Sequence, residues 1–572
     1  MISLSRLESD INISPTPPGD LNSMLGRGVK KPGVSRILCL LAFFTLLAVS
    51  VQYQSGSYGS ELSHWPDAPG HVTNSIMIHD YVKAWKWQSP MGFAEQFYGY
   101  YPKVSIGMWP PLYYSLAALW MMLVGVNKVA LLVFVAFTAG GMATMVAWLV
   151  WRLWRQEAGI LAGILWVFLP QVLFGETVFL LDIGVSLVQF VAMLALLLFL
   201  ERRTIRSAVW FGLWAAIAML TKGNAMALAN FTVILVVITR SWWTLRHPGL
   251  YAAAVIVACV AGPWQWVSLG VSSRSGLLEK VNFDSVSVLA LGYGEVLVRE
   301  MGWPLLLMGV SGIVWVLWRL WTKREVDPKL TGTVALMLGS FSFHCMVPLT
   351  IPDERYMMTV YSCLVILVAV GVRQWGDWLP SRWGSTDLRA LIVATVVVGM
   401  FSVQTFRFPR HLAQGFEPVA AMFEREAWAK DRILICSDSN GEGGFIVAIE
   451  IADRRPQHMV LRTSKFLSEN SWSGQKPKAL LTDTLAVRNF LDSYQVDAVV
   501  VDNTSPMSQQ DRQLLLKTIS ENGGQWETIV DGRAIGTQRN LTVFHRRQWK
   551  KKDGGSLRVP LTHTLRRDLM IN

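Results

Sequence analysis

Charged residues and cysteines are both scarce in this chain of 572 residues. Charged side chains make up 16% of it, whereas a soluble protein carries about 25%. The cysteines are scattered, so neither a disulfide framework nor a metal-ligand spacing is present. No internal repeat or low-complexity tract occurs. These deficits argue against a soluble, a disulfide-rich or a repeat protein. The five cysteines are Cys39, Cys259, Cys345, Cys363 and Cys436.

Hydrophobic residues, by contrast, reach 52%, and the mean hydropathy is +0.35. They lie in blocks of about 17–25 residues, which is the length that spans a bilayer. The net charge of +12 lies largely in short loops between these blocks, where it orients helices and forms no stripe for nucleic acid. The sequence therefore predicts a polytopic α-helical membrane protein that does not bind nucleic acid.

Alternate loops between the apolar blocks differ strongly in basic residues. One set holds fourteen Lys or Arg, whereas the short loops of the other hold only Lys222 and Arg355. Because basic loops stay cytoplasmic, we predict a cytoplasmic tail at 1–33, an uncleaved first helix rather than a signal peptide, and about eleven crossings. These crossings are predicted near 34–51, 128–150, 157–174, 177–200, 207–221, 224–240, 249–268, 302–320, 331–350, 356–372 and 388–405.

This orientation requires that the short apolar stretch 112–126, which follows Pro110 and Pro111, is juxtamembrane or re-entrant. The membrane domain then covers 34–406, with outer loops at 54–127 and 270–300. Because Pro66, Pro69 and Gly70 interrupt a helix, we predict that an amphipathic helix starts at His71, ends at Trp87 and lies on the membrane.

Beyond a linker at 407–430, the pattern of residues 431–546 predicts a small α/β domain outside the membrane. Its glycine-rich loop Ser437–Gly444 follows a strand, and we interpret it as a turn, with a phosphate or sugar cradle as the alternative. Residues 547–572 form a basic tail, solvated or lying against anionic lipid. Predicted strands are Arg432–Cys436, His458–Leu461, Val496–Val501, Glu527–Val530 and Leu541–His545, and predicted helices are Glu424–Lys430, Thr484–Tyr494 and Gln509–Asn522.

Several ionisable residues fall at the outer ends of the predicted spans, where burial is expensive and function is the default hypothesis. They are Asp67, Asp182, Lys222, Asp353 and Arg355. Helix-end snorkelling and capping explain any one of them, but explain Asp182 poorly because it lies inside an apolar run. Together they suit group transfer from a phosphate ester. A carboxylate takes a proton from the acceptor hydroxyl, and cations hold the departing phosphate. We expect a desolvated cavity to raise the pKa of the carboxylate.

The motifs around these residues resemble those of GT-C glycosyltransferases, especially lipid A aminoarabinose transferase and protein O-mannosyltransferases. The resemblance covers about residues 35–375. It rests on Pro66-Asp67, Pro110-Pro111-Leu112-Tyr113-Tyr114, the helix of Asp182, Leu220-Thr221-Lys222-Gly223 and Arg355-Tyr356. The chain departs from the family in having Asp67-Ala68 where Asp-Glu is common, and Trp109 where Lys or His often precedes the prolines.

The resemblance implies an inverting transfer of sugar from a polyprenyl-phosphate donor to a lipid, polysaccharide or protein acceptor, on the outer face of a bacterial inner membrane. It implies that Asp67 is the catalytic carboxylate, with Asp182 the next candidate. It also implies that the donor phosphate contacts Lys222, Arg355, Tyr356 and Lys103.

Three alternatives stay open from the sequence. His64, Asp67 and His71 could hold a divalent metal, although no metal is required by the chemistry. The protein could transport or flip lipid-linked sugars, or it could be a noncatalytic glycan-assembly protein. Against transport, the chain lacks an internal repeat and a pair of broken helices.

Overall fold

The computed structural model describes residues 33–84, 89–274, 283–347, 352–428, 430–469, 478–505, 509–532, 534, 536–547, 557–561 and 567–571. The tail 1–32 and the lysines 550–552 lie outside these residues. Apolar helices form a bundle up to residue 404, and an α/β domain follows. The helices of the first part are α1 (Val34–Ser55), α2 (Ala68–Ala84), α3 (Pro90–Tyr100), α4 (Leu112–Val124), α5 (Lys128–Leu153), α6 (Gln156–Val167), α7 (Pro170–Thr177), α8 (Asp182–Arg202), α9 (Ile205–Thr221), α10 (Ala227–Thr239), α11 (Pro248–Val260), α12 (Gly262–Arg274), α13 (Phe283–Trp321), α14 (Pro328–Met346), α15 (Met358–Trp378) and α16 (Thr386–Gln404).

The helices of the bundle confirm the predicted membrane class. In the described residues six helices are long and apolar enough to cross a membrane, or up to eight if each of two bent pairs counts as one span. The bent pairs are α6 with α7, at 70°, and α11 with α12, at 56°. The expectation that the chain lacks a pair of broken helices is therefore wrong. All eleven predicted spans are largely helical, while the number of crossings stays a prediction. Helix α4 has 13 residues, which rise only about 20 Å, too short for the hydrocarbon core.

The predicted loop regions contain much helix. The described parts of 270–300 belong to α12 and α13, and α13 continues through a kink at Gly302, whose φ is 68°. The prediction that residues 71–87 lie on the membrane is wrong for the described part. Helix α2 starts at Ala68 and its side chains Val72 and Ile76 are fully buried in a core shared with the α/β domain. Residues 85–87 lie outside the described part.

The α/β domain contains a five-stranded sheet of order β2-β1-β5-β7-β6. Strands β2, β1 and β5 are parallel, and β7 pairs antiparallel with both β5 and β6. All five predicted strands are present, with bounds that differ by at most two residues. Its elements are α17 (Phe416–Phe423), β1 (Arg432–Cys436), α18 (Ser439–Ala452), β2 (Met459–Arg462), α19 (Thr463–Phe466), β3 (Ser468–Glu469), β4 (Lys478–Ala479), α20 (Thr484–Ser493), β5 (Ala498–Asp502), α21 (Gln509–Glu521), β6 (Trp526–Gly532), β7 (Leu541–Arg546), β8 (Leu557–Leu561) and β9 (Arg567–Ile571).

Four local predictions for this domain need correction. The glycine-rich segment after β1 is helical from Ser439 and belongs to α18. In place of the helix predicted at 424–430, α17 ends at Phe423 and a 3₁₀ turn covers Glu426–Trp428. The predicted linker carries α17, whose first backbone N–H groups are bound by the buried carboxylate of Glu61. The predicted basic tail carries the hairpin of β8 and β9.

Candidate active site

The site lies at the end of the helix bundle that carries the α/β domain. Asp67 precedes α2, and its Oδ2 accepts a hydrogen bond from Arg355 Nη2 at 2.6 Å. Arg355 Nε donates in turn to Asp353 Oδ2 at 2.7 Å. These side chains are only 9–19% exposed, so the charge-assisted contacts are little screened by water. A single guanidinium therefore holds two carboxylates in place.

The pKa of Asp67 corrects the expectation from the sequence. Burial by itself would raise it, but the Arg355 guanidinium acts in the opposite direction, supported by the ammonium group of Lys222. The net pKa lies below the ordinary value. Asp67 is consequently ionised at neutral pH and ready to accept a proton.

A second ion pair lies beside the first. Asp182 is the first residue of α8, Lys222 ends α9, and Lys222 Nζ lies 2.5 Å from Asp182 Oδ1. The Asp182 side chain is 2% exposed, and its Oδ2 has no hydrogen-bond partner among the described residues. A buried carboxylate is tolerable there because its charge is paired. One of its oxygens therefore remains available to a hydroxyl of a ligand.

Aromatic rings connect the two ion pairs. Lys222 Nζ lies 5.0 Å from the centre of the Tyr356 ring, and the Arg355 guanidinium lies 5.4 Å from the same ring. Trp65 covers the other side of Arg355 at 5.1 Å. Five of the six predicted site residues thus form one cluster, as the sequence predicted, namely Asp67, Asp182, Lys222, Arg355 and Tyr356.

The sixth residue, Lys103, is oriented differently. Its Nζ donates to the carbonyl oxygen and Oγ of Ser439 in α18, at 3.4 and 3.5 Å. Burial lowers the pKa of Lys103 to about 7, Arg462 contributes in the same direction, and Glu442 and Asp67 oppose it. The amine therefore lies at the contact with the α/β domain and makes no ion pair with Asp67 among the described residues.

The motif around Pro110-Pro111 supports α2 behind Asp67. Tyr114 Oη and His71 Nδ1 are 2.8 Å apart, and the His71 ring packs 4.2 Å from Trp109. Burial lowers the pKa of His71 to about 3, although Asp67 acts to raise it. His71 is consequently neutral and serves as a hydrogen-bonding group.

The metal alternative finds no geometric support in the described residues, which contain no group of three His, Cys, Asp or Glu side chains placed to hold an ion. His64 stacks on His411, with ring centres 4.1 Å apart. His71 is bound to Tyr114. The three residues that the sequence grouped are therefore directed to different partners.

His344, which none of the sequence motifs contains, also belongs to this arrangement. Its ring stacks on Tyr356 at 5.7 Å, and its Nδ1 bonds the Ser340 carbonyl at 2.7 Å. Its Nε2 is buried and has no partner among the described residues. An ionisable residue inside an apolar helix is itself a functional signal, so the sequence contained the information needed to find it.

Comparisons with known proteins agree with this architecture. Residues 109–266 match the family model described as dolichyl-phosphate-mannose-protein mannosyltransferase. No curated protein sequence matches. The crystal structure of ArnT from Cupriavidus metallidurans in the apo state superposes with a TM-score of 0.53 at 12% identity, covering 89% of this chain and 98% of that chain. The oligosaccharyltransferase of Archaeoglobus fulgidus in the apo form superposes with a TM-score of 0.50 at 13% identity, covering 82% of this chain and 69% of that one.

Both structures are GT-C glycosyltransferases. At these identities the likeness establishes the fold, and the family model adds a sequence match that includes Pro110-Pro111, Asp182 and Lys222. The chain is an integral membrane protein with the GT-C fold, and the resemblance expected from its sequence is confirmed.

Proposed function

We propose that the protein transfers a sugar from a polyprenyl-phosphate donor to an acceptor hydroxyl, with inversion at the anomeric carbon. The observation that carries the proposal is the contact between Asp67 and Arg355, because it joins an ionised base to a fixed cation. The reaction needs both groups at one place. We assign the site to the outer face of the membrane, following the distribution of basic loops, and the membrane to a bacterial inner membrane, following the family resemblance.

The transfer step follows from these two side chains. The acceptor oxygen attacks the anomeric carbon and forms the new glycosidic bond, while its proton passes to Asp67. With Oδ2 bound to Arg355, Oδ1 is the oxygen that we assign to the proton. The bond between the anomeric carbon and the phosphate oxygen breaks, and its electron pair leaves with the phosphate. Arg355 stabilises the added negative charge.

The sugar is assigned to the buried polar atoms behind this pair. Asp182 Oδ2 and His344 Nε2 are acceptors without partners in the described residues, and a sugar hydroxyl can donate to each. Lys222 forms an ion pair with Asp182 and lies near the Tyr356 ring. We infer that these residues bind the donor close to its phosphate. Lys103 is proposed to approach the phosphate from the contact with α18.

A lipid-linked donor suits this location better than a nucleotide sugar. The cluster lies at the ends of the apolar helices α8, α9 and α15, so a donor with a long apolar chain reaches it from within the bilayer. The predicted cytoplasmic loops are too short for a nucleotide-binding fold. A flippase or a noncatalytic assembly protein, the two alternatives, does not require an ionised base in contact with Arg355.

The test uses purified protein in lipid nanodiscs, supplied with a polyprenyl monophosphate sugar and, separately, with nucleotide sugars. Asp67→Asn keeps the shape of the side chain and removes the base, so we expect transfer to fall at least ~100-fold, the lower end of general-base effects. Binding of the donor should change much less. Asp387→Asn is the matched control, because Asp387 is also ion-paired, to Arg155 at 2.9 Å, but outside the cluster.

Three results would contradict the proposal. Near-normal turnover of Asp67→Asn would assign the base to another residue, with Asp182 as the next candidate. Efficient transfer from a nucleotide sugar alone would exclude the lipid-linked donor. Movement of intact donor across the membrane without transfer would favour the flippase.

A further inference from the structure

The glycine-rich first turns of α18 point toward the candidate active site and not toward a free ligand. Asp438 caps this helix, and its Oδ1 accepts from the backbone N–H of Gly441 at 2.7 Å. Arg539 holds the same carboxylate and also donates to Ser437 Oγ at 3.0 Å. A phosphate at this helix end would have to displace a carboxylate that already satisfies it. The cradle considered for this segment is therefore not supported.

The glycines themselves lie against the segment that carries Asp67. A Cβ atom added at Gly443 would lie 2.8 Å from Pro69 Cγ and 3.1 Å from Lys103 Cε. One added at Gly444 would lie 2.6 Å from Ser63 Oγ. The distances to Pro69 and Ser63 are shorter than a Cβ atom tolerates, and the distance to Lys103 is tight. The helix reaches the segment between Ser63 and Pro69 only because these positions carry no side chain.

Polar contacts connect the same helix to the neighbouring loop. Lys103 Nζ donates to Ser439, and Arg462 Nη1 donates to the carbonyl of Pro102 at 3.2 Å. Arg462 is itself fixed by Glu442 of α18, at 2.8 Å, and the Glu442 side chain is fully buried. The loop of Pro102 and Lys103 is thus attached to α18, as is the segment between Ser63 and Pro69.

Local helix physics disfavours these glycines. Each glycine in a helix interior is about 1 kcal/mol less favourable than alanine. Gly443 and Gly444 lie next to each other inside α18, which runs from Ser439 to Ala452. Their cost to helix stability therefore has to be offset by a contact outside the helix. The close approach to the Asp67 segment is that reason.

We infer that Gly443 and Gly444 form a docking face by which the α/β domain positions Asp67 for transfer. The inference rests on the proposed function, in which Asp67 is the base. Gly443 and Gly444 touch neither donor nor acceptor, so they are positioning residues. A displacement of about 1 Å at a reacting group can reduce turnover ~100-fold.

The test is Gly443→Ala in the full chain in nanodiscs, assayed with a polyprenyl monophosphate sugar. Alanine favours the helix itself, so the change acts at Pro69. We expect kcat to fall at least ~10-fold, a fraction of the effect of a 1 Å displacement, while the Kd for polyprenyl phosphate stays within about twofold. We also expect the acid limb of the kcat profile to move to higher pH, because separating Asp67 from Arg355 weakens the contact that lowers its pKa.

Gly524→Ala is the matched control, because a Cβ added there meets no atom within 4 Å. A Gly443→Ala variant with the turnover and pH profile of this control would overturn the inference. So would a parallel loss of polyprenyl phosphate binding and turnover, which would indicate general misfolding.

A second pair of variants tests the same contact independently. Gly444→Ala should reduce turnover by meeting Ser63. Adding Ser63→Gly should restore most of it, since that change removes the two nearest opposing atoms and leaves only Phe416 Cδ2 at 3.3 Å. The Ser63 hydroxyl is buried without a partner among the described residues, so its removal breaks no hydrogen bond. Failure of this restoration would contradict the docking face. Full activity of Asp67→Asn in the same assay would instead refute the proposed function and leave the domain contact untouched.

Discussion

Replacing Arg355 by glutamine should change the pH dependence of transfer in a defined direction. In the native protein the Arg355 guanidinium holds the pKa of Asp67 below its ordinary value against the effect of burial. Removing the cation leaves burial dominant, so the pKa of Asp67 rises. A base must be ionised to act, and activity is lost as pH falls through its pKa. The acid limb of kcat/KM should therefore move to higher pH.

The size of this shift follows from the contact. A charge-assisted hydrogen bond contributes about 1.5–3 kcal/mol. One pKa unit corresponds to about 1.4 kcal/mol, so a shift of roughly 1–2 pH units is expected. Donor affinity should also fall, because the phosphate loses its cation. The assay is the pH profile of kcat/KM in nanodiscs at saturating acceptor.

A neighbouring arginine provides the control for this measurement. Arg299 donates to Glu354 at 3.2 Å and does not pair with Asp67. Arg299→Gln should leave the acid limb in place. An acid limb unchanged in Arg355→Gln would mean that Asp67 is not the group that titrates, and the assignment of the base would fail.

Two further predictions concern the second ion pair and the sugar. Lys222→Met leaves the Asp182 carboxylate buried and unpaired, so we expect a loss of about 3–5 kcal/mol in the free energy of unfolding, and Lys222→Met with Asp182→Asn should recover most of it. Calorimetry of the single and the double variant measures these free energies of unfolding. Equal losses in the two variants would contradict the pairing of Lys222 with Asp182. His344→Phe keeps the ring on Tyr356 but removes Nε2, so the KM for the sugar donor should rise about 5–10-fold, the value of one hydrogen bond. Binding of free polyprenyl phosphate should stay unchanged, and a parallel loss of both affinities would show that His344 supports the fold.

The sequence predicted the membrane class and the strands well, because both depend on local patterns. Apolar blocks identify the helices directly. A short continuous apolar run located Arg432–Cys436 with its observed bounds. The buried position of α2 could not be found this way. Its amphipathic appearance fitted the membrane surface, but its polar residue Asp80 is bound by Arg455 of the α/β domain, which lies 375 residues further along the chain.

The candidate site was predictable only as a set of residues. The cost of charges at membrane depth indicated Asp67, Asp182, Lys222 and Arg355. It did not indicate their pairing, since Asp67 and Arg355 are separated by 288 positions. The direction of the pKa of Asp67 depends on that pairing, which is why burial alone gave the wrong sign. Lys103 shows the same limit, because its partner Ser439 belongs to another domain.

The glycine-rich segment shows why a local motif does not determine its own use. Glycines at the start of a helix allow a backbone to approach something closely, and this holds equally for a phosphate and for another polypeptide. The difference lies in the charges around the helix end. A phosphate needs free N–H groups, whereas here Asp438 satisfies one and Arg539 neutralises Asp438. The remaining glycine surface faces Pro69, two residues from Asp67. We therefore propose that the α/β domain supports Asp67, the residue to which the proposed function assigns the base.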